Sequence, residues 1–175
     1  QYELAILLAP NTAQLHYWFG KFLLHSEENL EEAVEQFKKA RNLDMKSIDV
    51  SLALARGYLF QHEFDKTQDI ITELSEVIST ADDHLIKMYF DTEIQVLYRR
   101  ADDFSKSGDF QKSMDYLEGM RSKFQSLGGN HKDKHLRQKL IKCNYMLNKI
   151  LKSDQEDLKN RATKMHDWIE AECHN

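Results

Sequence analysis

From Leu15 to Asp44 the chain reads LHYWFGKFLLHSEENLEEAVEQFKKARNLD: an aromatic run closing on Phe19-Gly20, a short polar break, then Ala33, Phe37, Ala40 and Leu43 at helical spacing. Apolar residues three and four apart share one face of a helix, so the pattern predicts a helix, a tight turn and a second helix. Small residues fall where two helix backbones must come close. Asn11 or Thr12 can cap the first of these helices, which runs to about His25 with Leu15, Phe19, Phe22 and Leu23 inward. Asn29 followed by Glu32 makes a capping-box-like start for the second.

The pattern continues along the chain. Between 47 and 79, Leu54, Ala55 and Tyr58 take the places of Phe19, Gly20 and Leu23, and Phe64, Thr67, Ile71, Leu74 and Val77 follow on a return helix. Thr80 or Asp82 then caps a long helix reaching Ser107, with Leu85, Met88, Phe90, Ile94, Leu97, Ala101 and Phe104 in helical register. Gly108-Asp109-Phe110 makes a turn, and Ser113, Leu117 and Met120 lie on a return helix ending near Leu127. Gly128-Gly129-Asn130 stops that helix. The next, about Lys134 to Lys152, carries Leu136, Leu140, Cys143, Leu147, Ile150 and Leu151 on one side. Ser153 to Glu156 reads as a capping box for a last helix striped by Leu158, Ala162, Met165 and Ile169, with Lys159, Arg161 and Lys164 facing water.

The paired helices with Gly20, Ala33, Phe37 and Ala40 resemble the tetratricopeptide repeat (TPR), a helical hairpin of about 34 residues. The resemblance implies an all-α fold, a right-handed α-α superhelix (solenoid) of antiparallel helical hairpins. It divides a single TPR-like domain, 1–175, into the second helix of a truncated repeat (1–10), repeats at 12–45, 47–79 and 82–127, and a terminal helix pair (131–173). Tyr2, Ala5 and Leu8 repeat the spacing of Phe37, Ala40 and Leu43, with Pro10 closing the segment, so the expectation is a fragment of a longer repeat protein. The likeness is closest over 13–45, continues over 47–79 and 94–125, and is only architectural beyond. Departures are a turn one residue longer at SEEN, Thr67 and Leu74 in place of small alanines, and Arg100 where an aliphatic residue is usual.

What the resemblance implies for function is recognition of a protein or peptide, without chemistry, in a concave groove lined by the first helix of each hairpin. The groove would hold Tyr17, Trp18, Lys21, Leu24, Leu52, Arg56, Phe60, Tyr98 and Arg99. Exposed aromatics interleaved with cations suit a peptide with apolar anchors and some acidic character. The plainer alternative is that Trp18, Leu52 and Phe60 pack against neighbouring helices. Family members that clamp the terminal carboxylates of chaperones use a defined set of places, held here by Tyr17, Lys21, Ala53, Gln95 and Arg99. Only Arg99 agrees, so no chaperone ligand is expected. Two further readings stay open. One is a sensor, regulatory or self-association segment of a larger signalling ATPase or transcription regulator, with a homo-oligomer formed through the exposed terminal helix. The other is nucleic-acid binding through the basic helix 132–152.

Composition narrows these choices. With 41% hydrophobic and 30% charged residues, one proline and six glycines, the chain has the make-up of a helical globular protein. A net charge of −5 opposes general attraction to nucleic acid or anionic membrane. No apolar run approaches the ~20 residues of a membrane span. Cys143 and Cys173 stand apart with no CxxC, which suggests a reducing compartment, cytoplasm or nucleus. Lys132, Lys134, His135, Arg137, Lys139, Lys142, Lys149 and Lys152 gather on one stretch and read as a solvated basic face. His131 and His135 have metal-ligand spacing but no further ligand at a known spacing, so neither a metal nor any cofactor is expected. GGN lacks the lysine of a phosphate loop, and GxSxG and HExxH are absent. Acid pairs such as Glu31-Glu32 and Asp102-Asp103 fall on helix starts or polar faces, so an enzyme is the least expected class.

Overall fold

The computed structural model describes residues 1–26, 29–44, 47–127 and 134–174, without the side chains at 134, 135 and 174. Regular structure among them is helical: α1 (Tyr2–Leu8), α2 (Ala13–Ser26), α3 (Leu30–Leu43), α4 (Ile48–Phe60), α5 (Phe64–Leu74), α6 (Asp83–Ser107), α7 (Phe110–Ser126), α8 (Lys134–Ile150) and α9 (Glu156–His174), with a 3-10 turn at Ile78–Thr80. The all-α class read from periodicity holds. Two compact units, Gln1–Glu93 and Ile94–Asn175, divide the chain inside α6. The GGN turn, Lys132 and His131 lie outside the described residues, as does the side chain of His135.

In the first unit α3 packs against both α2 and α4. Two glycines allow the approach. A Cβ on Gly20 would sit 2.7 Å from the Phe37 ring, and one on Gly57 would sit 2.8 Å from Val34. Phe37, Ala33 and Ala40 are wholly buried at this seam. The predicted start at Asn29 forms as read, Asn29 accepting the Glu32 N–H at 3.1 Å, and the hairpin expected from about 47 opens on a cap the sequence reading did not name, Ser47 accepting the Val50 N–H at 3.3 Å. Asp82 accepts the Leu85 N–H at 2.9 Å. The short α1 lies on α2, where the Tyr2 ring is 5.7 Å from both Phe19 and Phe22. Buried His16 ties this end down: Nε2 donates to the Pro10 carbonyl at 2.8 Å, and Nδ1 lies 2.7 Å from the Gln36 side-chain amide.

Three expectations need correction here. Phe22 is 58% exposed, because α2 is apolar around so much of its circumference that Phe22 is left on the rim against Tyr2. Leu43 is also largely exposed, at the end of α3. The return helix α5 stops at Leu74, where Ser75 turns back to bond Ile71 and Thr72, so Val77 falls outside the stripe and is exposed.

In the second unit α7 packs against α8 and α9, and α8 against α9. Met114, Leu117, Met120 and Phe124 of α7 meet a core that includes Leu140, Cys143, Leu147, Leu158, Ala162 and Met165. The Phe124 and Trp168 rings meet edge to face at 5.9 Å. Arg161 does not face water as expected. Its guanidinium grips Glu118 through two bonds, 2.9 and 2.7 Å, and reaches Asp115 at 2.6 Å, because α9 lies beside the acidic face of α7. The capping box at Ser153 does not form either. The chain turns at Leu151–Ser153, α9 starts only at Glu156, and the Ser153 hydroxyl is buried without a partner among the described residues.

The α4–α5 and α6–α7 hairpins are built alike, residue for residue at a constant offset. Each turn passes through one left-handed residue, His62 (φ 61°) or Gly108 (φ 84°). In each, the next N–H folds back onto the preceding helix, Glu63 to the Tyr58 carbonyl and Asp109 to the Phe104 carbonyl, both at 2.9 Å. In each, a hydroxyl on the return helix donates to a carbonyl 12 residues earlier: Thr67 to Ala55 at 3.3 Å, Ser113 to Ala101 at 2.8 Å. Bonds from one helix back to its partner across a tight turn require the two helices to run antiparallel.

Candidate functional site

Positions 17, 18, 21, 24 and 25 recur with helical periodicity, and the turn of α2 brings Lys21, Leu24 and His25 onto one edge. On α4, Arg56 and Phe60 are one turn apart. Because α3 draws both helices close, these five side chains line one open pocket of about 250 Å³. That volume lies below the range of roughly 300–1,000 Å³ used for small-molecule and cofactor sites, and suits one or two side chains of a bound chain. Among the described residues no carboxylate lines it.

The rim is organised by a contact between the two helices. Tyr17 donates its phenolic hydrogen to Asp49 of α4 at 2.8 Å, and the Lys21 ammonium donates to the same phenolic oxygen at 3.3 Å. Burial, reinforced by the Asp49 carboxylate that takes its hydrogen bond, holds the Tyr17 phenol well above its ordinary range, while the charge of Arg56 pulls the other way. Asp49 is thereby engaged. Lys21 also lies 4.8 Å from the centre of the Trp18 ring, which is 44% exposed. Among the described residues neither Lys21 nor Arg56 forms an ion pair, and the Arg56 Nε hydrogen has no acceptor.

Two of the expected groove residues belong to the interior instead. Leu52 is wholly buried and Tyr17 nearly so, and neither offers side-chain surface to a ligand. The cause is α4 itself: Val50 through Ala55, Gly57 and Leu59 are all buried, so its sequence has no polar face from which Leu52's direction could be read. Tyr17 acts through its hydroxyl, which positions Lys21. Tyr98 and Arg99 lie in the second unit, half-buried on α6. Burial first, then Asp102, raises the Tyr98 phenol.

A second pocket of about 370 Å³, lined by Lys38, Arg41, Asn42, Leu54, Tyr58, Lys66, Asp69 and Ile70, was not legible as a site in the sequence. Its cations are already matched: Lys38 with Glu35, Arg41 with Glu73, Lys66 with Glu63. An incoming anion would have to displace those partners, whereas among the described residues Lys21 and Arg56 have no ion-pair partner to displace, Asp49 being held by the Tyr17 hydroxyl. On α8, Lys139 departs from the expected solvated face, because its stem is buried; Lys142 and Lys152 remain exposed. Cys143 is buried beside Met120, and burial pushes its thiol up to about 12. Among the described residues no group of three or more His, Cys, Asp or Glu side chains is placed to hold a metal ion, and no helix is long and apolar enough to cross a membrane.

The chain matches no model of a known protein family, and no curated protein sequence matches it.

Proposed function

We propose that this chain is a protein-recognition module of the TPR type, its hairpins stacked as a superhelix. The partner is a peptide segment bound along the face that α2 and α4 share. The observation that carries this reading is the pocket of Lys21, Leu24, His25, Arg56 and Phe60, cationic and apolar with no acid among the described residues that line it. A carboxylate of the ligand would meet Lys21 and Arg56, with an apolar side chain against Leu24 and Phe60 and the open edge of Trp18. The repeated architecture of the α4–α5 and α6–α7 hairpins supports the family assignment, and the pocket's small size supports recognition over catalysis.

The test is a pull-down by the purified chain, read by mass spectrometry, beside a Trp18→Ala, Arg56→Glu variant and a Lys21→Glu, Arg56→Glu variant checked for helicity. A protein recovered by the parent and lost from both variants supports the groove. Equal recovery removes the α2–α4 face from the account.

Self-association is a second reading with its own observation. Leu4, Leu7 and Leu8 on α1 are 62%, 76% and 79% exposed, an apolar edge that a second copy would cover. Light scattering across a dilution series tests it, and a monomer at every concentration ends it.

A further inference from the structure

The outward face of α8 combines features that solvation alone does not explain. Ile141 and Tyr145, one turn apart, are 51% and 62% exposed. Lys142 and Lys152 flank them in water, without an ion pair among the described residues, and the Lys149 ammonium rests 4.6 Å from the centre of the Tyr145 ring. The remaining outward positions, Gln138 and Asn148, are neutral. The helix sequence KHLRQKLIKCNYMLNKI contains no acid at all, in a chain of net charge −5. An apolar ridge edged by unopposed cations is complementary to an amphipathic segment whose apolar stripe is edged by carboxylates.

We infer that the Ile141–Tyr145 face of α8 is a second docking surface, one that takes an acidic amphipathic helix of a partner protein. Aliphatic side chains of that helix lie on Ile141 and Tyr145, and its carboxylates pair with Lys142, Lys149 and Lys152. Single-stranded nucleic acid fits less well. A branched aliphatic side chain gives a base nothing flat to stack on, and Lys149 occupies one face of the only aromatic ring on the ridge.

The experiment titrates the whole ¹⁵N-labelled chain with a helical peptide of leucine, glutamate and alanine, its leucines four apart and its glutamates along both flanks. The same peptide with lysine for glutamate, and an oligouridylate, are titrated beside it. The acidic peptide is expected to shift the amides from Gln138 in α8 to Lys152 just beyond it saturably, and the lysine peptide to leave them in place. Lys142→Glu with Lys149→Glu weakens binding by about tenfold or more. Ile141→Ser with Tyr145→Ser weakens it comparably, both pairs at unchanged helicity because Ile141, Lys142 and Tyr145 are exposed and Lys149 is only partly buried. Four outcomes overturn the inference: α8 amides unmoved by the acidic peptide, charge reversal without effect, tighter binding of the oligouridylate, or α8 shifts that follow dilution of the chain alone. The surface is independent of the α2–α4 groove, so shifts confined to α2 and α4 would refute it while leaving the groove reading intact.

Discussion

Replacing Gly20 by alanine sets two effects of opposite sign against each other. In a helix interior the change gains about 1 kcal/mol of propensity, since glycine loses more backbone freedom on folding than alanine. Here, however, the new methyl would stand 2.7, 2.8 and 3.1 Å from three carbons of the Phe37 ring. That ring is 0% exposed and has no flexible end to swing away. Forcing a methyl into a packed core costs about 1–3 kcal/mol, so against that gain the expected net loss is about 0–2 kcal/mol. At roughly 2–4 °C per kcal/mol for a chain of this size, Tm falls by up to a few degrees. Gly119 supplies the control, because a Cβ there would meet only Leu97, at an ordinary 3.7 Å. Gly119→Ala should therefore raise stability by up to about 1 kcal/mol. Urea unfolding followed by helical circular dichroism measures both variants. In the Gly20→Ala background Phe37→Leu should cost less than in the parent, since the smaller side chain relieves the clash. A Gly20→Ala variant as stabilised as Gly119→Ala would refute the packing argument for α2 on α3.

The two matched turns give a further opposed pair. His62→Gly relieves a left-handed conformation and is expected to gain about 1 kcal/mol, while Gly108→Ala loses about 1–2 kcal/mol although nothing lies within 4 Å of the added methyl; equal signs in urea unfolding would contradict the turn assignment. Cys143 should resist a disulfide reagent in the native chain near neutral pH while Cys173 reacts, with both reacting in denaturant, and prompt native modification of Cys143 would show that α7 and α8 are not packed as described. Asp109 caps α7, and the Lys112 N–H it accepts, with the Lys112 ammonium beside it, holds its carboxyl below the ordinary value. A depressed folded pKa gives stability that is present above the unfolded pKa and lost as pH falls through the folded one. Asp109→Asn keeps a capping oxygen but should flatten stability against pH below about 4, and an acid limb of unchanged slope would remove Asp109 as its source.

Helix positions were legible because they depend on local signals. The starts at Asn29, Ser47 and Asp82 follow from a side-chain oxygen that reaches the backbone three residues on, and the long helix to Ser107 follows from one unbroken stripe closed by Gly108. Direction within a helix was less legible. In α2 and α4 apolar residues exceed what one face can hold, so neither the burial of Leu52 nor the exposure of Phe22 could be read from spacing. Ser153 failed as a cap because the chain turns for three residues before α9 begins, a connection set by how α8 and α9 pack. The pocket was named in most of its parts, since Lys21, Leu24, Arg56 and Phe60 were all expected in the groove. The tie between Tyr17 and Asp49 was hidden by the 32 residues that separate them, and so was the matching of Arg41 to Glu73, which leaves the neighbouring pocket without unopposed charge.

The hydroxyl bonds of Thr67 and Ser113 bear on how such hairpins drift in sequence. Thr67 stands where the sequence pattern expects a small alanine, Ser113 takes the matching place on α7, and each hydroxyl finds a helix carbonyl with a spare lone pair already facing it. A serine introduced by one nucleotide change from an alanine codon therefore meets an acceptor on arrival and leaves no orphaned polar group. The position tolerates two chemistries, and a profile that asks only for alanine will pass over hairpins of this kind. A search that accepts alanine, serine or threonine there, and glycine or alanine 12 residues earlier, or 13 where the turn is one residue longer as between Gly20 and Ala33, would bring more distant hairpins into register.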